Sequence, residues 1–150
     1  DIELGPLSEE VLTDLAPLAE HKDIVLNCSG GALIIGSDTL LYRLVFNLVE
    51  NAIRYSRPGS TVNVSICDND SHVFLRVEDQ GPGIPKQYRE SIFQPFFRLD
   101  KSRSRAYGGA GLGLALVWEI AALHGGTVEV EASSENGATM LTTLPKRTAA

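Results

Sequence analysis

The chain has 150 residues, 43% of them hydrophobic and 21% charged, with a formal net charge of −6. That size suits one domain with an ordinary core, and the acidic balance excludes a general nucleic-acid binder, whose phosphate contacts demand a basic surface. No apolar run is long enough to cross a bilayer and no basic segment leads into an apolar core at the start, so a soluble chain without membrane contact or signal peptide is expected.

In chain order, Leu7 to Ala19 has helical spacing, with Ser8 as N-cap, Glu10 in the first turn and Pro17 as a stop or kink. Ile24 to Cys28 and Ala32 to Ile35 read as short strands across the turn Ser29-Gly30-Gly31. Ser37 or Asp38 caps a long helix through Tyr55, stopped by Arg57-Pro58-Gly59. Thr61 to Cys67 and Val73 to Val77 alternate apolar and polar residues around Asp68 to Ser71, the pattern of a β-hairpin. A short helical segment near Pro85 to Ser91 and a helix from about Leu112 to Leu123 follow, the latter ended by His124-Gly125-Gly126. Thr127 to Glu131 and Ala138 to Leu144 form a second hairpin. Trp118 and Met140 read as core. Cys28 and Cys67 lack metal-ligand spacing, which suits reduced thiols in a cytosolic compartment, with a disulfide as the lesser alternative. His21, His72 and His124 have no nucleophilic or metal-ligand setting.

The long helix carries the first chemical signal. At roughly 100° per residue, Arg43, Asn47, Glu50, Asn51 and Arg54 share a face, and Leu41, Leu44, Val45, Leu48, Val49, Ala52 and Ile53 fill the rest. Asn is a mediocre helix former, and a covered amide must find partners. Side-chain carbonyl oxygens that help hold a hydrated Mg²⁺ are one explanation; a solvated polar stripe is the other.

Further signals lie downstream. Asp79-Gln80-Gly81-Pro82-Gly83-Ile84-Pro85 puts a carboxylate at a strand end, where it can accept a hydrogen bond from an adenine amine, with glycines that admit a flat ring; an Asp-led turn is the alternative. Gly108-Gly109-Ala110-Gly111-Leu112-Gly113-Leu114 opens a helix, whose N-terminal amides favour phosphate, or is a plain glycine-rich connector. It is not a Walker loop, since no Gly-Lys-Ser/Thr occurs, and Leu114 spoils a Rossmann fingerprint. Arg98, Lys101, Arg103 and Arg105 place four cations within eight residues, either a triphosphate grip that orders as a lid or a solvated loop. Ile92 to Phe97 concentrates three of the five phenylalanines, read as packing. Tyr55 either stacks on a base or closes the core.

Taken in order, Asn47-x-x-x-Asn51-Ala-x-Arg54-Tyr55, Asp79-x-Gly-x-Gly83, Phe93-x-x-Phe96, Gly109-x-Gly111-Leu112-Gly113-Leu114 and Gly137-Ala-Thr139, together with Leu123-His124-Gly125-Gly126 and Leu144-Pro145, resemble the catalytic and ATP-binding domain of sensor histidine kinases. The resemblance spans nearly the whole chain. It implies an α/β (α+β) two-layer sandwich over residues 1–150, a mixed sheet against three helices with a mobile ATP lid at about 97–110, shared with gyrase-type, heat-shock-90 and mismatch-repair ATPases.

The same resemblance implies ATP and Mg²⁺ as cofactors. Asn51 would ligate the metal, Asn47 would support it or its waters, and Arg54 would reach the phosphates. Tyr55 would lie near adenine. Asp79 would read the adenine amine, helped by Thr139 through a shared water, with Gly81, Gly83 and Ile84 beside the base. Gly109, Gly111, Leu112 and Gly113 would shape the phosphate end, Phe93 and Phe96 would anchor the lid, and Lys101, Arg103 and Arg105 would be phosphate-contact candidates. Glu50 is peripheral.

Where the water-using relatives resemble Glu-x-x-x-Asn, this chain has Asn47, which cannot take a proton from water at neutral pH. Poor hydrolysis and transfer to a readily activated imidazole follow from that comparison. No His-Glu/Asp-x-x-Thr/Asn-Pro segment occurs, so the resemblance implies a monomeric, cytoplasmic fragment of a membrane-anchored sensor kinase. Its partners would be a separately supplied phosphoacceptor hairpin and a response regulator. A regulatory nucleotide-binding module and an anti-sigma-type serine kinase are the alternatives.

Overall fold

Two alternating runs set the centre of the fold. Val62, Val64 and Ile66 of β4 (Thr61–Asp68) and Val73, Leu75 and Val77 of β5 (His72–Glu78) are buried, and alternation gives both strands one apolar face. They pair antiparallel as expected, with Ile66 opposite Leu75. On the far side of β5 lies β7 (Gly137–Pro145), followed by β6 (Thr127–Ser134), both antiparallel. β2 (Val25–Gly30) runs parallel to β4 at the other edge. The order β2-β4-β5-β7-β6 is therefore a mixed five-stranded sheet. These positions come from a computed structural model that describes residues 1–95, 97 and 113–146. Phe96, Lys101, Arg103, Arg105, Gly109, Gly111 and Leu112, and with them all of the expected lid except Phe97, lie outside the described residues.

Among the described residues three helices cover the apolar face: α1 (Leu4–His21), α2 (Asp38–Tyr55) and α3 (Gly113–Leu123). Their buried side chains join those of the strands in one cluster, the two-layer α/β arrangement that the resemblance implies. Among the described residues no helix is long and apolar enough to cross a membrane.

α1 starts a turn earlier than its spacing suggested, because Leu4 is already buried and its amide bonds the Ala32 carbonyl at 3.0 Å. The start is anchored by a short ladder between β1 (Ile2–Glu3) and β3 (Leu33–Ile34). Ser8 is thus no cap but a fully buried side chain inside the helix. Nor does Pro17 end the helix, which runs on to His21; burial of Leu15 and Ala19 on either side outweighs the missing amide bond. For α2 the cap is Ser37, whose hydroxyl accepts the Leu40 amide at 3.2 Å, with Asp38 as the first-turn acid. The segment near Pro85 to Ser91 proves to be two 3₁₀ turns, Lys86–Tyr88 and Ser91–Phe93. β6 extends beyond Glu131 through an irregularity between Val130 and Ala132, as a bulge allows. Both cysteines are free.

Thr142 sits on the core side of β7, fully buried, with its hydroxyl unpartnered. Thr142→Val keeps the shape and removes an unpaid desolvation cost, so it should stabilise the fold by about 1 kcal/mol. Urea unfolding at constant slope measures this; an unchanged or lower midpoint would mean that the hydroxyl has a partner in solution.

Candidate active site

The polar face of α2 survives folding because its opposite side is consumed by the core. Leu41, Leu44, Val45, Leu48, Val49, Ala52 and Ile53 are all buried, whereas Asn47, Glu50, Asn51 and Arg54 are half-buried and Arg43 is exposed. Asn47 is the unusual member. Its Nδ2 is buried without a hydrogen-bond partner, a state that costs free energy unless something else supplies an acceptor. α3 begins directly beside it: a Cβ built on Gly113 would lie 3.7 Å from Asn47 Oδ1. The positive end of α3 and the carboxamide of Asn47 therefore line the same open cleft, a combination suited to an anion.

The last turn of α2 is held from outside. Lys22 Nζ donates to the carbonyl of Ile53 at 3.1 Å and to that of Arg54, capping the helix with a cation. Burial, and secondly the Arg54 charge, lower the Lys22 pKa. Arg54 itself pairs with Glu50 one turn back, Nη2 to Oε1 at 3.6 Å. Glu50, read as peripheral, is thus the present partner of the cation expected to reach the phosphates.

Beside this same C-terminal end of α2, Asp79 follows β5 on its core-facing side. It is 9% exposed, and its Oδ1 accepts the amides of Gly81 at 3.0 Å and Ala138 at 3.1 Å. Burial pushes its pKa up, against the pull of those two donors. The folded pKa thus lies above the unfolded one, so the stability contributed by the protonated form is present below the unfolded value near 3.8 and is lost as pH rises through the folded value. Ligand binding that needs a carboxylate acceptor runs the other way. Affinity for an amine-bearing purine should fall as pH drops through the raised pKa, measured by calorimetry in buffers from neutral to acid; a flat profile would exclude the ionised form as the acceptor.

The glycines expected to admit a flat ring also lie tight against the protein's own backbone. A Cβ on Gly81 would come within 2.3 Å of the Tyr55 carbonyl oxygen, and one on Gly83, at φ +81°, within 2.0 Å of the Ser134 carbonyl oxygen. The room is filled by the protein's own backbone, so these glycines seat the Asp79 loop against the end of α2 and against β6. Ile84 is tied down by its amide, which donates to Ser133 Oγ at 2.7 Å. Tyr55 and Asp79 consequently come together at one end of α2, while Asn47 and Gly113 meet about 12 Å away, eight residues at the helical rise.

Thr139 requires a correction. On β7 it pairs with Glu78 and Ala132, and its neighbours Ala138 and Met140 are the ones buried on the core side. Alternation turns the Thr139 side chain to the open face of the sheet, away from Asp79. The group from this strand that meets Asp79 is the backbone amide of Ala138, which no side-chain motif could have revealed. Trp118, expected like Met140 to be a core residue, is instead 47% exposed, its ring 5.6 Å from that of the buried Phe93. An open cleft runs along α3 from Arg43, Asn47 and Gly113 to Phe93 and Trp118; Asp79 is not among its described lining residues.

Sequence reasoning also passed over the residues that brace the loop. Ser56, 2% exposed, accepts the Gln80 amide at 3.2 Å, and Arg57 Nη2 reaches the Glu135 carbonyl at 2.8 Å. Gln80 Oε1 in turn accepts the Thr61 amide at 2.7 Å. Neither their type nor their spacing distinguishes these residues from ordinary turn residues. Among the described residues no group of three or more His, Cys, Asp or Glu side chains could hold a metal ion, so a cation here would need carboxamides and ligand oxygens.

Comparison with known proteins gives the family and the fold. Residues 36–148 match the family model described as histidine kinase-, DNA gyrase B- and HSP90-like ATPase. The chain is 37% identical over 147 residues to the sensor-like histidine kinase SenX3 of Mycobacterium tuberculosis, covering 97% of this chain and 36% of that protein. It is 38% identical over 143 residues to the sensor histidine kinase RppB of Synechocystis, covering 95% and 31%. The chain thus spans about a third of the length of these relatives. Among solved structures, the mycobacterial sensor histidine kinase MprB superposes with a TM-score of 0.84 at 31% identity, covering 99% of this chain and 97% of that one. Full-length ShkA in complex with AMPPNP superposes with a TM-score of 0.82 at 28% identity, covering 99% and 31%.

Proposed function

This chain belongs to the histidine kinase-, DNA gyrase B- and HSP90-like ATPase family, and we propose that it binds Mg-ATP and passes the γ-phosphoryl group to a histidine on a separate helical hairpin of a sensor kinase. A response regulator would be the next acceptor. The observation that carries the reading is Asn47, a buried carboxamide with an unpartnered Nδ2 beside the start of α3. It asks for a ligand acceptor, and it stands where a hydrolytic relative would need a carboxylate base.

In this reading Asp79 accepts the adenine amine, and the loop braced by Gly81, Gly83, Ser56 and Ser133 fixes its direction. The half-buried carboxamide of Asn51, one turn from Asn47, is a hard oxygen donor of the kind Mg²⁺ accepts alongside phosphate oxygens, and the donor set fits that ion without a carboxylate cluster. When bound, the metal would neutralise charge on the transferring phosphate. Asn47 donates to a phosphate oxygen, Arg54 exchanges Glu50 for the phosphates, and the start of α3 adds aligned amides. An imidazole nitrogen of the acceptor then attacks the γ-phosphorus. The N–P bond forms as the bond to the bridging oxygen breaks, ADP leaves as the oxyanion and the imidazole gives up the proton on its other ring nitrogen to solvent water. The protein's share is alignment and charge, which is most of what phosphoryl transfer requires.

Radiolabelled ATP mixed with this chain and a hairpin domain from the same kinase should yield acid-labile, alkali-stable label on the hairpin. Tight nucleotide binding with no transfer would select a regulatory module instead, and acid-stable phosphoserine on a partner would select the serine-kinase reading.

A further inference from the structure

His124 follows the last turn of α3 and is 5% exposed, yet nothing in the reading above uses it. Both ring nitrogens are engaged. The backbone amide of Ser37 donates to Nε2 at 3.1 Å, and Nδ1 lies 2.8 Å from the Ile120 carbonyl. Because the first partner can only donate and the second only accept, the ring is the Nδ1–H tautomer. Ser37 is the residue that caps α2. Gly36, just before it, leaves the ring its place: a Cβ there would come within 2.6 Å of His124 Cδ2 and 2.7 Å of Nε2.

The ring therefore buckles the end of α3 to the start of α2. At its other end α3 meets α2 again, Gly113 against Asn47. α3 is 11 residues long and essentially a rigid rod whose buried residues Val117, Ile120 and Ala121 pack into the shared core, and among the described residues the His124 contact is the one that ties it to α2 by directed hydrogen bonds. We infer that His124, seated by Gly36, is a positioning residue that fixes α3 on α2 and thereby holds the start of α3 over Asn47 at the phosphate end of the cleft. This rests on the nucleotide reading above. The purine end does not share the dependence, since Asp79 is held by Gly81, Ala138 and the Ser56–Gln80 brace, none of which touches α3 in the bonds described.

The test is a comparison of ligands that differ only in phosphate. ATP binding with Mg²⁺ is measured by calorimetry, and adenosine binding by amide NMR shifts at Gly81, for the parent, His124→Leu, His124→Gln and Gly36→Ala. His124→Leu and Gly36→Ala should weaken ATP about ten-fold, the scale of one lost hydrogen bond, and leave adenosine within about two-fold. His124→Gln, which keeps one acceptor and one donor, should recover most of the ATP affinity. Parent-like ATP affinity in folded His124→Leu overturns the inference, as does an equal loss for both ligands. Should His124→Leu fail to fold, Gly36→Ala decides by the same criterion. A parent that binds no ATP defeats the nucleotide reading itself, a different result from a parent that binds while its variants are indifferent.

Discussion

Asp79→Asn is expected to weaken ATP binding about 10- to 100-fold while leaving the protein at least as stable as the parent at pH 7. The two halves follow from different oxygens of one side chain. Oδ1 receives the amides of Gly81 and Ala138, and an asparagine can keep both bonds with its carbonyl oxygen. The other position becomes an NH₂ group, so a purine amine would meet a donor where it needs an acceptor. Loss of a hydrogen bond to a charged group costs about 1.5 to 3 kcal/mol, which is the stated range of affinity. Stability moves the other way because burial, the first cause of the raised pKa, penalises the carboxylate more than its donors reward it. At pH 7, above the unfolded pKa, the ionised form carries that penalty, and a neutral amide removes it. Calorimetry and urea unfolding on the same preparation check both halves. Parent-like ATP affinity would remove Asp79 from the base site, and a lower unfolding midpoint would show that charge-assisted bonding outweighs burial.

Asn51→Ala should abolish the gain in ATP affinity that Mg²⁺ brings, with a loss of about ten-fold or more in magnesium and little change in EDTA. Asn51 is half-buried on the polar face of α2, one turn past Asn47 and one turn before Tyr55, and no side-chain hydrogen bond described for this chain uses it. Removing its carboxamide should therefore cost the fold little, and Ala is the better helix former by a few tenths of a kcal/mol. A ligand effect confined to the magnesium condition separates loss of a metal ligand from damage to the helix. Equal affinities for parent and variant in both conditions would mean that the cation is held elsewhere.

The periodicities carried most of the architecture. Alternation in Val62 to Ile66 and Val73 to Val77 and the 3.6-residue repeat of α2 are properties of side chains in order, and burial of the apolar set leaves little freedom in which elements form. The polar face of α2, with Asn47, Asn51 and Arg54, was legible for the same reason, as was a carboxylate at the end of β5. Element ends were less so. Ser8 looks like a cap in a local window, but Leu4 is drawn into the core and carries the helix start back past it.

What the chain order alone determined is the set of faces: which residues share a side of α2, which strands alternate, where a helix opens on glycine. What only the tertiary structure decided is which groups meet across elements. Thr139 lost its place beside Asp79 to a backbone amide because β7 registers Ala138, not Thr139, on the core side. Gly81 and Gly83 turned out to seat a loop because Tyr55 and Ser134 bring their carbonyls to those points. His124 gained its two partners, and Asn47 kept an unpaired nitrogen, for a like reason. Hydrogen bonds and steric fit act over a few ångströms between residues far apart in the chain, so their outcome depends on packing and register, which no local pattern of residue types encodes.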